Sequence, residues 1–214
     1  MANLTVITSE LGGFQTNCYV VANARTKEAI VIDPSWNADY IYDLMGDKGY
    51  ACKGIFLTHG HVDHMAAMAD LKKLTGADTY ASEDEKEVLG SSKVNLSAMM
   101  TQVFGRVIET EADHYLCDGD VRKILGTEMK CISVPGHTRG GMCYYFASEN
   151  ILFSGDTLFK YSVGRSDFPT GDGDALIENI REKLFVLPDD TIVYPGHGDM
   201  TQIRKEKKMN PFFD

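Results

Sequence analysis

Residues 54–65 read GIFLTHGHVDHM: an apolar run is followed at once by three histidines and an aspartate, His59, His61, Asp63 and His64. The run has the β-branched and aromatic content of a strand. Side chains alternate along a strand, so His59 and His61 can aim at one point. If the chain then bends into a helix, Asp63 and His64 are carried toward a second point close by. Imidazole lone pairs and carboxylates crowded this closely repel one another unless a cation lies among them, and a divalent metal ion removes that cost. The segment therefore predicts two adjacent metal positions.

Three further segments repeat the pattern. VPGHTRGG (134–141) supplies His137, FSGDTLF (153–159) supplies Asp156, and YPGHG (194–198) supplies His197, each at the exit of an apolar strand-like run. Each candidate follows a glycine, Gly136, Gly155 or Gly196, which lets the backbone turn sharply beside a metal. Of the 6 histidines only His114, in the polar EADHYLCDGD stretch, falls outside these positions, and it is expected at the surface.

Strand-like runs also occur at LTVIT (4–8), NCYVVAN (17–23), AIVID (29–33), EMKCISV (128–134), CYYFAS (143–148), NILFSG (150–155) and TIVYP (191–195). Helical spacing is carried by Tyr40, Ile41, Leu44 and Met45, and by Leu176, Ile177, Ile180 and Leu184 after a GDGD turn. Met65, Met68 and Leu71 suggest a third helix, with the methionines as core packing. Residues 82–105 are expected to form one or two short helices walling the site, with the acidic start from Glu83 to Glu87 a solvated helix N-terminus. Strands in both halves with helices between them give a mixed α/β or α+β layering.

At 214 residues and 43% hydrophobic content, the chain is expected to form a single domain over residues 1–214. A net charge of −10, without a basic stripe interleaved with aromatics, argues against a nucleic-acid partner. The start MANLTVITSELGGF has no basic-then-apolar leader, and no run of about 18 apolar residues occurs, so no membrane partner and a cytoplasmic location are expected. The 5 cysteines, Cys18, Cys52, Cys117, Cys131 and Cys143, form no C-x-x-C pair and read as buried free thiols of a reducing compartment. The oligomeric state is left open.

THGHVDH, PGHTRG, SGDTLF and PGHG resemble, in order and spacing, the metal-binding motifs of the metallo-β-lactamase superfamily. Within it, LFKYSVGRSDFPTGD and the closing NPFF are similar to the short bacterial relatives of glyoxalase II, the hydroxyacylglutathione hydrolases. The resemblance implies an α+β fold, a four-layer αβ/βα sandwich with metals at one edge between the sheets. It implies that His59, His61 and His137 hold one ion, that Asp63, His64 and His197 hold a second, and that Asp156 bridges both. Donors of this kind suit two divalent ions, zinc first, with iron or manganese also accepted.

The activity so implied is hydrolysis of a small-molecule thioester, with S-lactoylglutathione the leading candidate. Water shared by two ions, its pKa lowered toward about 7, would attack the carbonyl, and Asp63 and Asp156 would shape the reacting centre. Sulfur dioxygenases of the same superfamily are the competing resemblance, since His59, His137 and Asp156 would serve as their single-iron triad and GRSDF is similar to their sequences; lactone or other ester hydrolysis is a further alternative. His197 in Gly-His-Gly favours the hydrolases. Larger glyoxalase II enzymes carry helices beyond Asn-Pro-Phe that grip the glutathione carboxylates. This chain ends at NPFFD, which leads to an expectation of weak glutathione binding. Arg165 aligns with a substrate-contacting lysine of that family, and either grips the carrier's carboxylate or pairs with Asp167.

Overall fold

A computed structural model describes residues 4–213. The first sheet contains β1 (Leu4–Leu11), β2 (Thr16–Asn23), β3 (Glu28–Ile32), β4 (Ala51–Phe56), β5 (Thr79–Ser82) and β6 (His114–Leu116), in sequential order. Its first three strands are antiparallel and β3 to β6 run parallel. The second holds β7 (Val121–Ile124), β8 (Thr127–Ser133), β9 (Met142–Phe146) and β10 (Ile151–Gly155). After a two-stranded ribbon of β11 (Leu158–Phe159) and β12 (Ser162–Val163), β13 (Ile192–Pro195) and β14 (Thr201–Gln202) complete it, in the order β14-β13-β10-β9-β8-β7.

Parallel neighbours require crossovers, and helices supply them. Helix α1 (Ala38–Asp47) links β3 to β4, while α2 (Val62–Met65) and α3 (Met68–Thr75) link β4 to β5. Helices α4 (Lys86–Gly90) and α5 (Thr101–Phe104) lie between β5 and β6; α6 (Gly173–Asn179) connects the parallel pair β10 and β13, and α7 (Ile203–Met209) follows β14. Alternation along β2 and β3 divides their residues between two faces. Cys18, Val20, Ala29 and Val31 pack on Ile41, Met45, Met68 and Leu71 from α1 and α3. Tyr19, Val21, Ile30 and Ile32 face Met129, Tyr144, Phe146 and Phe153 of the second sheet. The second sheet's outer face packs on Leu176, Ile180, Leu184 and Ile203. The layers thus run helix, sheet, sheet, helix, the α+β four-layer αβ/βα sandwich expected from the sequence.

Local differences have physical causes. The Met65–Met68–Leu71 helix is broken in two because Ala67 donates its N–H to the Pro34 carbonyl (3.0 Å) rather than into a helix. Tyr40 is 44% exposed, leaving Ala38, Ile41 and Met45 as the buried face of α1. Asp172 caps α6 by accepting the Ala175 N–H (3.0 Å), and the helix continues as a π-helical turn through Ile180–Leu184. Strands β5, β6 and β7, unforeseen in the sequence, are short. Cys18, Cys131 and Cys143 are buried thiols as expected, but Cys52 is half-buried and Cys117 is exposed, since it lies in the turn after the edge strand β6. No helix among the described residues is long and apolar enough to cross a membrane.

Phe153 is fully buried between the sheets, against Tyr19 (5.1 Å between ring centroids) and Tyr194 (5.2 Å). Phe153→Ala should destabilise the fold by about 3–5 kcal/mol, read as a lower urea midpoint at constant slope. Val186→Ala, at a 71% exposed position, should stay within about 0.5 kcal/mol of the parent. A loss below about 1 kcal/mol for Phe153→Ala would show that the inter-sheet layer closes over the gap.

Candidate metal centre

The C-terminal ends of β3, β4, β8, β10 and β13 deliver Asp33, the His59–His64 turn, His137, Asp156 and His197 to one cluster. Within it, His59, His61 and His137 offer nitrogens within 4.8 Å of one another, as do Asp63, His64 and His197 with their own donor atoms, and His59, His64 and Asp156 with theirs. All seven donors singled out in the sequence are therefore brought together.

Hydrogen bonds on the far side of the rings decide where the lone pairs point. His137 donates Nδ1–H to the Arg165 carbonyl (2.7 Å), and His197 donates Nδ1–H to the Phe14 carbonyl (3.2 Å). His64 donates Nδ1–H to Asp33 Oδ2 (2.9 Å). Thr58 commits its hydroxyl proton to Asp33 Oδ2 (2.7 Å), so its oxygen accepts His59 Nδ1–H (3.1 Å). A neutral imidazole has one N–H and one lone pair. With Nδ1–H used outside, Nε2 of all four rings turns inward and is the donor atom of each ring in its neutral form. His59 Nε2 then lies 3.2 Å from His137 Nε2, which is 2.9 Å from His61 Nδ1. On the other side, His64 Nε2 is 3.3 Å from Asp156 Oδ1 and 3.6 Å from Asp63 Oδ2. His197 Nε2 is 3.4 Å from Asp63 Oδ2 and 3.5 Å from Asp156 Oδ2, and His137 Nε2 is 3.6 Å from the latter oxygen. Asp156 thus faces both halves.

The halves differ electrically. Burial, reinforced by neighbouring imidazoles, holds His59 well below its ordinary pKa and His61 at about 3, so both stay neutral donors. Burial would also lower His64, but Asp156, Asp63 and Asp33 outweigh it and raise the pKa well above the ordinary value. Burial opposes ionisation of Asp63 and Asp156 too, yet His64 and the other imidazoles hold both carboxyls below the usual range. The carboxylate half attracts positive charge.

Backbone shape matters at two glycines. Gly155 has φ +51°, and a Cβ there would overlap the Thr58 side chain. A Cβ on Gly196 would overlap the Asp156 carboxylate and come within 2.7 Å of His64. The Gly196 loop is anchored from β2. Asn17 donates its backbone N–H to the Gly196 carbonyl (2.8 Å) and its side-chain amide to Pro195 (3.0 Å) and Gly198 (2.9 Å). Thr16 donates its hydroxyl to Asp63 (3.1 Å).

Arg165 stands apart from the donor cluster. Its guanidinium donates to Asp167 twice (2.7 and 2.8 Å) and lies 3.8 Å over the Phe168 ring, whose centroid is 5.6 Å from that of His61. His114 is exposed as expected and pairs with Asp78. Two buried acids that bond to the donor-bearing segments were missed in the sequence. Asp33 accepts Thr58 N–H (2.7 Å), the Thr58 hydroxyl and His64; its signal was an acid at the exit of AIVID, the setting of the other site residues. Glu85, expected in a solvated stretch, is fully buried, accepting N–H from Gly60 (2.6 Å) and Gly140 (2.9 Å).

Comparison with known proteins agrees with this geometry. The chain is 34% identical over 207 residues to hydroxyacylglutathione hydrolase GloC of Haemophilus influenzae, covering 94% of each. Among solved structures it resembles BLEG-1 B3 metallo-beta-lactamase, with TM-score 0.90 and 34% identity over 98% of this chain and 99% of that one. It also resembles TTHA1623 in a di-iron-bound form, with TM-score 0.84 and 30% identity over 97% and 100%. The model of the metallo-beta-lactamase superfamily matches residues 11–197, a span that takes in every donor of the cluster, and the chain belongs to that superfamily.

Proposed function

We propose that this chain hydrolyses a thioester with two divalent metal ions, its substrate a small S-acyl-glutathione such as S-lactoylglutathione. The observation that carries the reading is the inward convergence of imidazole nitrogens and carboxylate oxygens, with Asp156 in reach of both halves. The residues fit metal ions. His64 Nε2 and Asp156 Oδ1 are buried without a hydrogen-bond partner among the described residues, an arrangement that costs about 1–3 kcal/mol per group unless something coordinates it. In this reading His59, His61 and His137 hold one ion, Asp63, His64 and His197 the other, and Asp156 is shared. Zinc suits these donors, and iron and manganese are accepted by the same set. Bound there, the ions supply a water that ionises near neutral pH and a Lewis acid for the carbonyl oxygen.

The chain's own residues prepare that chemistry. Burial keeps His59 and His61 neutral, and the surrounding imidazoles keep Asp63 and Asp156 ionised. The Thr16 hydroxyl fixes Asp63, so its carboxylate is oriented before substrate arrives. Phe168 beside His61 and Phe159 beside His197 give the reacting centre apolar neighbours. Arg165 is read as the group that recognises the carrier's carboxylate: it already grips Asp167 in bidentate fashion, and a substrate carboxylate would take that place. Likeness to GloC supports the thioester class.

Fully loaded protein should hold two ions per chain, lose thioester hydrolysis on chelation and regain it when metal returns. A loaded sample that stays at one ion and takes up oxygen with glutathione persulfide would replace this reading with the single-iron dioxygenase. Asp156→Ala should cost several orders of magnitude in turnover, whereas His114→Ala should be nearly silent; two retained metals with near-normal turnover in the first variant would remove its shared role. Arg165→Ala should raise KM while kcat stays within about a few-fold, the pattern of an interaction made equally in ground and transition states. The substitution spares the Arg165 carbonyl that orients His137, so an unchanged KM would assign the side chain to Asp167 alone.

A further inference from the structure

Glu85 ends a 3₁₀ turn, Glu83–Glu85, directly after β5, and none of its surface reaches solvent. It makes no ion pair among the described residues; the nearby Arg139 guanidinium pairs with Glu87 instead (2.7 Å). A buried carboxylate without a counter-cation is costly, and its oxygens must be satisfied by hydrogen bonds. Here Oε2 accepts the Gly60 N–H and Oε1 the Gly140 N–H. Gly60 lies between His59 and His61, and Gly140 lies three residues beyond His137. One carboxylate from a third segment thus ties together the two loops that carry these three imidazoles.

Other bonds cross between the sheets nearby, but they end short of the histidines: Met142 N–H to the Thr58 carbonyl (2.8 Å) and the Tyr144 hydroxyl to the Leu57 carbonyl (2.6 Å). Glu85 takes hold past the strand end, in the turn itself. Both contact points are shaped to its element. A Cβ on Gly60 would lie 2.8 Å from Glu85 Oε2 and 2.9 Å from Val88, and one on Gly140 would lie 2.7 Å from Glu85 N. Either loop can approach the carboxylate only as glycine.

We propose that Glu85 is a positioning residue for one half of the metal centre, a buried two-acceptor clamp that sets the spacing of His59 and His61 relative to His137 and so the affinity for the ion those three hold. The inference rests on the reading of the cluster as a two-metal centre. The isosteric substitution is diagnostic. Glutamine offers one oxygen and one NH₂, so it accepts from one glycine N–H and sets a donor against the other.

The test is titration of metal-stripped protein with Zn²⁺ against a competing chelator. Wild type should bind in two steps, and if it does not, the two-metal reading itself fails. Glu85→Gln should weaken one step by about 10–100-fold and leave the other within about three-fold, the scale on which groups that orient ligands act. The weakened step should be the one that His137→Ala abolishes. Leu184→Ala, a cavity variant in the outer layer behind the second sheet, should lower the urea midpoint with both affinities unchanged, separating general stability from positioning. Glu85→Asp, which keeps both acceptors on a shorter stem, should show the same selective loss to a smaller degree, and it decides the matter should the glutamine variant not fold. Wild-type affinities in the Glu85 variants, or equal weakening of both steps there, would overturn the proposal.

Discussion

Four imidazoles that turn their Nε2 atoms inward, toward one another and toward two carboxylates, are the constraint on which the rest of this structure depends. The rings stay convergent because each Nδ1–H is held by an acceptor behind it: Thr58 Oγ1, Asp33, and the carbonyls of Arg165 and Phe14. Those acceptors come from separate parts of the chain. The arrangement therefore has to be made by the tertiary fold, and it gathers donors for a cation before any cation arrives. Asp33 serves two rings at once, by taking the Thr58 hydroxyl proton and the His64 N–H.

The sandwich meets this requirement through its parallel strands. β3 and β4 in one sheet and β10 and β13 in the other each release the chain at the cluster, as parallel strands joined by crossovers place their C-terminal ends along one rim. Strand ends alone would leave the loops too far apart for side chains to share a few ångströms of space. Gly155 and Gly196 allow the approach, and Asn17 then pins the His197 loop through three hydrogen bonds. That pairing makes the antiparallel start of the first sheet part of the site, although it contributes no donor of the seven.

The side chains of the cluster were legible in the sequence because metal-binding chemistry confines its candidates to few residue types and to strand exits followed by tight turns. The convergence of these seven side chains and the fold class were readable on that ground. Residues that act behind the donors were not. Asp33 sits at the same kind of strand exit, but nothing in the local spelling says that a histidine 31 positions away will turn its ring toward it. Glu85 was hidden more thoroughly, because Glu83, Asp84 and Glu87 around it make the segment look solvated while the turn after β5 drives one acid of the group inward. The short strands β5, β6 and β7 escaped for a related reason. Their three or four residues are too few for a period, and their pairing comes from neighbouring strands.

Side chain and main chain divide the labour at two of the four rings. His137 and His197 are oriented by backbone carbonyls, of Arg165 and Phe14, and a carbonyl is present whatever side chain the residue bears. The Arg165 side chain points elsewhere, to Asp167 and Phe168, and Phe14 leaves 39% of its surface to solvent while packing against Phe104. Substitution at either position changes the rim without changing the tautomer of the ring behind it. His59 and His64 have no such latitude, because their orientation rests on the Thr58 hydroxyl and the Asp33 carboxylate. A site built this way lets the side chains at positions 165 and 14 vary while the donors stay fixed, which separates the rim of the site from the geometry of the centre.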